Sequence, residues 1–210
     1  MNILPGKTVE RLSEYRRNLL GYLNSGNEYI FSHELAALLH ITAVQVRRDL
    51  MLIGYTSVIK KGYDIKELIK TIGTIIDSEK EQNVAVIGLG NFGKAISHYF
   101  RGKRSQLNIV AAFDIDPEKV GTDHWGVSCY SVEEMEKIIG EMKISIAILT
   151  VPPEHARSIA EDVINFGVRG ILNFTTVPLN MPSNVHLEEY DMITSLEKVA
   201  YFVKEGGRSN

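Results

Sequence analysis

The sequence predicts an α/β protein of two domains, a mainly helical N-terminal domain and a C-terminal domain built on a doubly wound parallel sheet. Residues 1–80 carry apolar side chains at helical spacing. From residue 81 to residue 190, runs rich in valine and isoleucine alternate with helical periods, as in a parallel sheet covered by helices. A glycine-rich segment, residues 88–93, separates the first such run from the first helix of this part. We expect domains at 1–80 and 81–190, followed by a C-terminal segment at 191–210.

Composition and charge indicate a folded protein with an uneven charge distribution. Of its 210 residues, 44% are apolar and 23% are charged, and the formal net charge is −3. Residues 1–63 hold eight basic residues against five acidic ones, whereas the remainder of the chain holds 15 against 21. A basic head on an acidic body fits a protein that contacts nucleic acid through one domain. The negative total argues against a protein that coats nucleic acid indiscriminately.

The expected compartment is the cytoplasm. Cys129 is the only cysteine, so no internal disulfide is expected, and a structural role is favoured for its thiol. No apolar run approaches the roughly 20 residues of a membrane span, and the first residues lack a signal-peptide pattern. We therefore expect a soluble protein that does not contact a membrane.

Three helices are predicted in the N-terminal domain. The first covers residues 8–24, and Ser32 is the expected N-cap of the second, with Leu35, Leu38 and Leu39 as its buried stripe. Thr42 with Gln45 matches a capping box that opens the third helix, which Gly54 closes. Two short helices joined so tightly are a candidate helix-turn-helix.

The third helix carries the candidate DNA-binding side chains. Val46, Leu50 and Ile53 recur on one face and must point inward, which turns Gln45 and Arg48 outward and leaves Arg47 at the flank. Glutamine can bind adenine edges, and arginine can bind guanine edges or phosphate. The alternative is a solvated helix whose arginines pair with Asp49 or with water.

A wing is expected after the third helix. Residues 56–63 contain β-branched side chains and a turn glycine, and such a hairpin would place Lys60 and Lys61 against the phosphate backbone. Asp64 and Glu67 then match a second capping box, which opens a helix with an isoleucine- and leucine-rich face. We expect that helix to link the two domains. Together these elements predict a winged helix-turn-helix.

The glycine-rich segment predicts a dinucleotide site of the Rossmann type. Gly88 allows a tight turn, Gly90 lets the backbone approach a pyrophosphate, and Gly93 lets the helix pack closely on the strand. The helix start then offers free N–H groups to the phosphates. The candidate residues of this helix start are Asn91, Phe92, Lys94 and Ala95.

Asp114 ends the next apolar run, 26 residues beyond Gly88, and a carboxylate there accepts ribose hydroxyls and repels a 2′-phosphate. The expected cofactor is therefore NADH or NAD⁺. Related sheets that bind coenzyme A or another nucleotide remain the alternative. Four residues at the ends of two later strands are candidates to border the nicotinamide: Thr150, Pro152, Asn173 and Phe174.

No catalytic or metal-binding residues are predicted. The six histidines lack metal-ligand spacing, and no nucleophile motif is present. His155 is the one acid/base candidate near the expected crevice, and a surface histidine is the favoured interpretation of it. An NAD-dependent oxidoreductase remains an alternative function, but the prediction is that the chain is not an enzyme.

Taken together, the motifs resemble those of the Rex family of redox-sensing transcriptional repressors. The resemblance covers nearly the whole chain. It is carried by residues 45–50, 62–63, 86–93, 113–117 with Gly121, 150–152 and 170–174.

The resemblance implies a homodimeric repressor whose C-terminal helix, in residues 191–210, is exchanged between subunits. NADH would release a palindromic DNA operator, while NAD⁺ would leave the DNA-binding form intact. Arg17, Tyr99 and Asp191 match positions of an intersubunit polar switch. The wing departs from the family pattern, with Ser57 and Lys60 in place of glycines and Ile59 in place of an arginine. An NAD(H)-binding paralogue with weak or altered DNA binding is therefore a further alternative.

Overall fold

A computed structural model of the chain describes residues 3–56, 61–100 and 106–206. Its contacts divide the chain into two compact units, residues 1–79 and residues 80–210. In the described parts of the chain, no helix combines the length and the apolar composition needed to cross a membrane.

The described residues of unit 1 form four helices and a two-stranded antiparallel sheet. Its elements are α1 (Gly6–Asn24), β1 (Tyr29–Ile30), α2 (Ser32–Leu38), α3 (Ala43–Leu52), β2 (Tyr63–Asp64) and α4 (Ile65–Ile76). The helices enclose one apolar core, and α1 and α4 pack against each other. The fully buried side chains of this core include Leu12, Tyr15, Leu19, Leu35, Val46, Ile65, Leu68 and Ile72.

The start of α2 differs from the expectation. Ser32 is the first helical residue and not the N-cap, which is Phe31. The Phe31 N–H donates to the Glu34 carboxylate at 2.6 Å, so an acidic side chain of the first turn binds the backbone N–H of the N-cap residue. Leu38 is exposed, because this seven-residue helix buries Leu35 and the adjacent Ala36 instead.

The cap of α3 is confirmed on one side only. The Thr42 hydroxyl accepts the Gln45 N–H at 3.2 Å, as predicted. The Gln45 side chain does not return to the cap, because its amide donates to Asp49, at 3.0 Å. Gly54 follows the helix with φ +71°, a left-handed conformation that favours glycine.

The returning part of the wing is a short strand. Tyr63 pairs with Ile30 and Asp64 pairs with Tyr29, so β2 pairs with a strand that sequence reasoning missed. Residues 57–60, which make up half of the expected hairpin and include Lys60, lie outside the described residues. Gly62 has φ +99°, and a Cβ there would lie 2.6 Å from the Ile30 carbonyl oxygen. Glycine is therefore required where the chain passes β1.

Unit 2 is a seven-stranded sheet with helices. Its elements are β3 (Gln82–Ile87), α5 (Asn91–Phe100), β4 (Leu107–Asp114), β5 (Asp123–His124), β6 (Val127–Ser131), α6 (Met135–Glu141), β7 (Ile144–Leu149), α7 (Ala156–Asn165), β8 (Gly170–Asn173), β9 (His186–Glu189) and α8 (Met192–Gly206). The strand order is β5-β6-β4-β3-β7-β8-β9, and only the β5–β6 pair is antiparallel. Its strands and helices form two apolar clusters, and the parallel order confirms the doubly wound prediction.

Two strands of this sheet were not predicted. β5 and β6 form a hairpin at one edge, closed by Trp125 and Gly126 with φ +57° and +84°. Their residues do not show the apolar run that marks the inner strands, since only Val127 and Cys129 of β6 are buried. The other strands were predicted at 83–87, 108–113, 144–150, 169–174 and 185–188, and each lies within one residue of those bounds. The helices predicted at 91–101, 131–140 and 154–166 also match within one residue once the 3₁₀ turns that open the α6 and α7 segments are included, whereas α8, predicted at 191–203, extends to Gly206.

The topology defines where a ligand can bind. β3 is central, with β4 on one side and β7 on the other, both parallel to it. The chain therefore leaves β3 at the point where the strand order reverses. In open α/β sheets, ligands bind in the crevice at this point, outside the carboxyl ends of the strands.

Candidate functional site

The glycine turn between β3 and α5 is too close to neighbouring backbone at two of its three glycines to hold a side chain there. Gly88 has φ +94°, and a Cβ there would lie 2.9 Å from the Thr150 carbonyl oxygen. A Cβ on Gly93 would overlap the Gly88 carbonyl oxygen and lie 2.9 Å from Oγ1 of Thr150. A Cβ on Gly90, in contrast, would meet no heavy atom within 4 Å. Gly88 and Gly93 thus fit strand to helix, while Gly90 leaves open space.

Thr150 holds this turn against the neighbouring strand. Its Oγ1 donates to the Gly88 carbonyl oxygen at 2.7 Å, and its N–H donates to the Ile87 carbonyl oxygen at 2.9 Å. The end of β7 and the turn after β3 are therefore joined by hydrogen bonds through Thr150, which follows β7 directly.

Asp114, the predicted ribose ligand, lies at the end of β4 and is already hydrogen-bonded within the protein. It accepts the Leu89 N–H at 2.7 Å, the Asp116 N–H at 2.9 Å and the Lys119 ammonium at 3.1 Å. Burial by itself would raise its pKa, but these hydrogen bonds outweigh burial, so the pKa lies below its usual value. Asp114 is an ionised carboxylate that fixes the glycine turn from the β4 side.

A cavity of about 630 Å³ opens along this turn. That volume is within the range of small-molecule and cofactor sites. Five of the predicted cofactor residues line it, namely Gly88, Gly90, Asp114, Thr150 and Pro152. Sequence reasoning missed most of the other lining residues, which are Ile87, Phe113, Ile115, Asp116, Lys119, Val132, Val151, His155, Ser158 and Ile159.

Two of the missed residues carry charge. Asp116 precedes a stretch of turns at residues 117–120, and its carboxylate accepts the Glu118 N–H at 3.0 Å. Lys119 lies 3.1 Å from Asp114 and 3.4 Å from Asp116, and so bridges the two acids. A second acid two residues after a strand end was the one signal in the sequence that could have identified this group.

The remaining predicted cofactor residues form the helix start and the far strand end. Asn91, Phe92, Gly93, Lys94 and Ala95 make up the first turn and a half of α5. That helix start presents backbone N–H groups beside the turn.

Asn173 and Phe174 follow β8. The Asn173 side chain donates to the Val177 carbonyl oxygen at 2.9 Å and accepts the Thr175 N–H at 2.9 Å, so it shapes its own loop. The Phe174 ring meets Phe92 edge-on at a centroid distance of 5.2 Å and stacks on Tyr190 at 5.5 Å. Two predicted residues from distant parts of the chain, Phe92 and Phe174, are thereby in contact.

The candidate DNA-binding face belongs to unit 1. Thr42, Arg47, Arg48 and Lys61 are exposed, and Gln45 is half-buried. One guanidinium nitrogen of Arg47 donates to the Ser32 hydroxyl at 3.1 Å, across the turn between α2 and α3.

The acid that was considered as a partner for these arginines is used elsewhere. Asp49 is fully buried and forms a bidentate ion pair with Arg11 of α1, at 2.6 and 2.7 Å. It also accepts the Tyr15 hydroxyl at 2.7 Å. The pKa of Asp49, which burial would raise, is held below its usual value by these donors. Burial, followed by the hydrogen bond to Asp49, raises the pKa of Tyr15.

The three switch candidates lie on different elements. Arg17 is exposed on α1, and Tyr99 is exposed near the end of α5 with its ring edge-on to Phe100. Asp191 caps α8, because its carboxylate accepts the N–H groups of Ile193 and Thr194 at 2.8 and 3.1 Å. Their role in a switch stays a prediction.

The helix α8 belongs to unit 2 and has no buried face over the side chains that the structure describes. Its residues from 192 to 204 are all exposed, although many of them are apolar. The large apolar side chains exposed along it are Met192, Ile193, Leu196, Val199, Tyr201, Phe202 and Val203. An apolar helix of this kind is covered by another surface in most proteins.

Other candidate chemistry is weak. Over residues 3–56, 61–100 and 106–206, no group of three or more metal-ligand side chains is present. The Cys129 thiol is buried in β6, and burial raises its pKa, so its role is structural.

Two family models match the chain. One, described as a CoA binding domain, matches residues 79–177, and the other, described as a putative DNA-binding protein N-terminus, matches residues 3–50. The two matches fall on the two units of the structure.

Relatives and solved structures match almost the whole chain. A protein of Lactobacillus gasseri called redox-sensing transcriptional repressor Rex is 36% identical, over 95% of this chain and 94% of that protein. A protein of the same name from Listeria welshimeri is 34% identical over 96% and 94%. The crystal structure of RSP, a Rex-family repressor, is 32% identical with a TM-score of 0.88, over 99% of this chain and 97% of that one. RSP in complex with β-NAD⁺ and operator DNA matches with a TM-score of 0.90, over 99% and 95%.

Proposed function

We infer the function of this chain from one premise: it belongs to the Rex family of redox-sensing transcriptional repressors. We propose that it is a DNA-binding repressor that senses the NADH/NAD⁺ ratio and that NADH releases it from a palindromic operator. The observation that carries the proposal is the near-complete match, at a TM-score of 0.90, to RSP bound to both β-NAD⁺ and operator DNA. RSP has also been solved with β-NADH.

The cavity beside the glycine turn fits a dinucleotide. The open space at Gly90 allows the backbone to approach a pyrophosphate, and the N–H groups at the start of α5 would donate to it. In this proposal, Pro152 and Thr150 border the nicotinamide half, and Phe92 with Phe174 forms an apolar edge near it. The bound group supplies the redox state of its nicotinamide ring, and the residues of this chain bind and orient it.

The acids at the end of β4 favour NAD(H) over NADP(H). Asp114 and Asp116 both line the cavity, and their carboxylates would accept ribose hydroxyls and repel a 2′-phosphate. Asp116 is the more accessible of the two, with 38% of its side chain exposed against 8% for Asp114. We therefore propose that Asp116 shares the ribose contact that the sequence assigns to Asp114.

The DNA-binding face would be formed by α3 and the wing. Arg47, Arg48 and Lys61 supply exposed positive charge for phosphates, and Gln45 lies within the first turns of α3, which meet base edges in helix-turn-helix proteins. Thr42 fixes the start of that helix. Lys60, which the sequence adds to this set, lies outside the described residues.

We propose that the chain acts as a homodimer with exchanged C-terminal helices. The uncovered apolar surface of α8 supports this, because a second copy of the chain would bury it. Arg17, Tyr99 and Asp191 remain the proposed polar switch between subunits. Two recognition helices related by the dimer axis would lie about one DNA turn, ~34 Å, or a multiple of it apart.

The mechanism is a shift between two conformations. NADH must bind the form that releases DNA more tightly than the form that binds it, with a coupling of about 1–3 kcal/mol. Since bacterial DNA lies in the cytoplasm, we propose that compartment for the protein.

The test is a mobility-shift titration at fixed salt. We expect the full-length chain to bind a palindromic duplex selected from a random pool and NADH to release it. NAD⁺ alone should leave the complex intact. Loss of residues 191–210 should abolish the dimer in sedimentation. If NADH and NAD⁺ have the same effect on the bound fraction, the redox proposal is wrong.

The alternatives have separate outcomes. Family membership makes the chain a transcriptional regulator and not an enzyme, so His155 is a residue of the cavity wall and not a catalytic base. The altered wing sequence favours a second candidate, an NAD(H)-binding paralogue with weak DNA binding. Tight NADH binding without any selected duplex would support that candidate.

A further inference from the structure

The recognition helix α3 carries Gln45, a candidate to read a base, whose side chain is held by the buried carboxylate of Asp49. Nε2 of Gln45 donates to Oδ1 of Asp49 at 3.0 Å. The same Oδ1 accepts from Arg11 at 2.7 Å, and Oδ2 accepts from Arg11 and Tyr15 at 2.6 and 2.7 Å. Among the described residues, four donors thus bind Asp49, and one of them is the Gln45 amide on the same helix.

This arrangement decides which end of the Gln45 amide points outward. The Asp49 carboxylate is ionised and can only accept hydrogen bonds, so the NH₂ group of Gln45 must face it. The carbonyl oxygen Oε1 is then on the side away from Asp49, and the second N–H of Nε2 is left for another partner. The amide presents one acceptor and one donor side by side.

We propose that Asp49, held by Arg11 and Tyr15, fixes Gln45 as a specificity-determining residue that reads an adenine in the major groove. Adenine offers an N6 donor beside an N7 acceptor, which is the complement of the exposed amide edge. Asp49 and Arg11 are positioning residues, since they reach the base only through Gln45. The inference rests on the proposed DNA-binding function and adds the base that one side chain recognises.

The neighbouring arginines provide a contrast. Arg48 is exposed, and Arg47 contacts the Ser32 hydroxyl at the start of α2, at 3.1 Å. Neither is fixed by a buried ion on α3. Their positive charges suit phosphates, which set affinity and salt dependence for all sequences alike. Discrimination and general affinity are therefore assigned to different side chains of one helix.

The order of the side chain matters because a free glutamine would have to be ordered during binding. Gln45 starts with one hydrogen bond already formed, to a carboxylate that α1 holds in place. Removing the carboxylate would leave the base-reading group present but mobile and able to rotate its amide. Selectivity at one base pair should then fall, while contacts to phosphate continue.

The experiment measures base preference position by position. The wild-type chain selects a duplex from a random pool, and each half-site position is then varied in binding titrations without NADH. We expect Gln45→Ala to lose about tenfold of the preference for adenine at one symmetric position, which corresponds to about 1.4 kcal/mol. Asp49→Asn should lose preference at the same position, and the double variant should lose no more than Gln45→Ala alone. Arg48→Ala is the matched control and should lower affinity for every duplex equally.

A second variant keeps the test valid if Asp49→Asn does not fold. Arg11→Met, Tyr15→Phe and Asp49→Leu together replace the buried ion pair by apolar side chains, a change that proteins often tolerate. This variant keeps Gln45 but removes the carboxylate that holds its side-chain amide. Its thermal unfolding is followed by circular dichroism, and its loss of adenine preference should match that of Gln45→Ala.

The outcomes separate the two proposals. If the wild type selects a duplex but the triple variant keeps full preference at the Gln45-dependent position, Asp49 does not position the glutamine and the inference fails. If Gln45→Ala keeps the wild-type base preference at every position, Gln45 does not read a base and the inference also fails. If the wild type selects no duplex, the proposed DNA-binding function fails, and this inference fails with it.

Discussion

Adding one methyl group at Gly90 should weaken NADH binding and leave the fold intact. A Cβ at this position would meet no heavy atom of the protein within 4 Å, and Gly90 is not among the glycines with positive φ. Alanine can therefore take up the native backbone conformation. The effect on folding stability should be small, or stabilising by about 0.4–1 kcal/mol, because alanine restricts the unfolded chain.

The added methyl group should instead weaken the binding of NADH. In a turn of this type the second glycine is where the backbone approaches the pyrophosphate, so the new methyl group would occupy space that a phosphate oxygen needs. A steric penalty of about 1–3 kcal/mol, as for a methylene forced into a packed site, corresponds to a 5- to 150-fold rise in the dissociation constant for NADH. Repression should then persist at NADH concentrations that release the wild-type chain.

Gly93→Ala is the matched comparison, because its methyl group clashes with the protein itself. It would overlap the Gly88 carbonyl oxygen and lie 2.9 Å from Oγ1 of Thr150, two atoms that hold β7 to the turn. The helix α5 or the turn must move. We expect a loss of about 1–3 kcal/mol of folding free energy, together with the loss of NADH binding.

The assay combines calorimetric NADH titration with thermal unfolding of the same preparations. Gly90→Ala should bind weakly and unfold at or slightly above the wild-type midpoint. Gly93→Ala should bind weakly and unfold several degrees lower, at about 2–5 °C per kcal/mol for a domain of this size. The reasoning is refuted if Gly90→Ala binds NADH like the wild type or if its midpoint falls with that of Gly93→Ala.

Three further predictions concern charge and burial. Arg48→Ala should weaken operator binding about tenfold and reduce the slope of log affinity against log salt by about 1, since one phosphate contact is lost; an unchanged slope would remove Arg48 from the phosphate contacts. The pKa of Asp49 is lower in the folded chain than its unfolded value near 3.8. The ionised Asp49 therefore stabilises the fold fully at pH values above 3.8, and this stabilisation is lost as the pH falls through the folded pKa. In urea unfolding, the stability difference between the wild type and the variant with Arg11→Met, Tyr15→Phe and Asp49→Leu should therefore shift against the wild type below about pH 4, and a constant difference would contradict this. The Cys129 thiol should react with a disulfide reagent only after unfolding, because it is 1% exposed and its pKa is raised; rapid labelling of the native chain would disprove a structural role.

The helical and strand elements could be predicted where apolar spacing alone determines them. Val46 and Leu50 are buried as their spacing requires, and β3 and β7 lie within a residue of their predicted bounds. The glycine turn could also be predicted, because Gly88 and Gly93 are required by contacts within a few residues of the turn and with one adjacent strand.

Elements that depend on distant partners could not be predicted. β1 has only two residues, Tyr29 and Ile30, and exists because β2 pairs with it more than 30 residues later. β6 is an edge-side strand that buries only Val127 and Cys129, so it lacks the continuous apolar run of an inner strand. Short pairing strands of this kind are specified by the partner and not by local sequence.

At the candidate sites, too, the sequence predicts where a residue lies but not which groups it contacts. Spacing placed Asp114 at the end of β4 and Gln45 on the outer side of α3, and both lie there. Spacing could not show that the Leu89 N–H and Lys119 already bind Asp114, or that Gln45 donates to Asp49. The donors to Asp49 include Arg11, which is 38 residues away in sequence.

These internal hydrogen bonds change what the predicted site residues do. Asp114 and Asn173 are oriented by the protein before any ligand binds, and so is Gln45 in unit 1. Ordering a mobile side chain costs about 0.5–1.5 kcal/mol on binding, and a side chain that folding has already ordered avoids most of that cost. Because the ordering partners differ in the two units, a substitution at Asp49 should affect DNA discrimination without affecting the dinucleotide cavity. The glycine turn and the recognition helix are therefore ordered by separate sets of hydrogen bonds, each within its own unit.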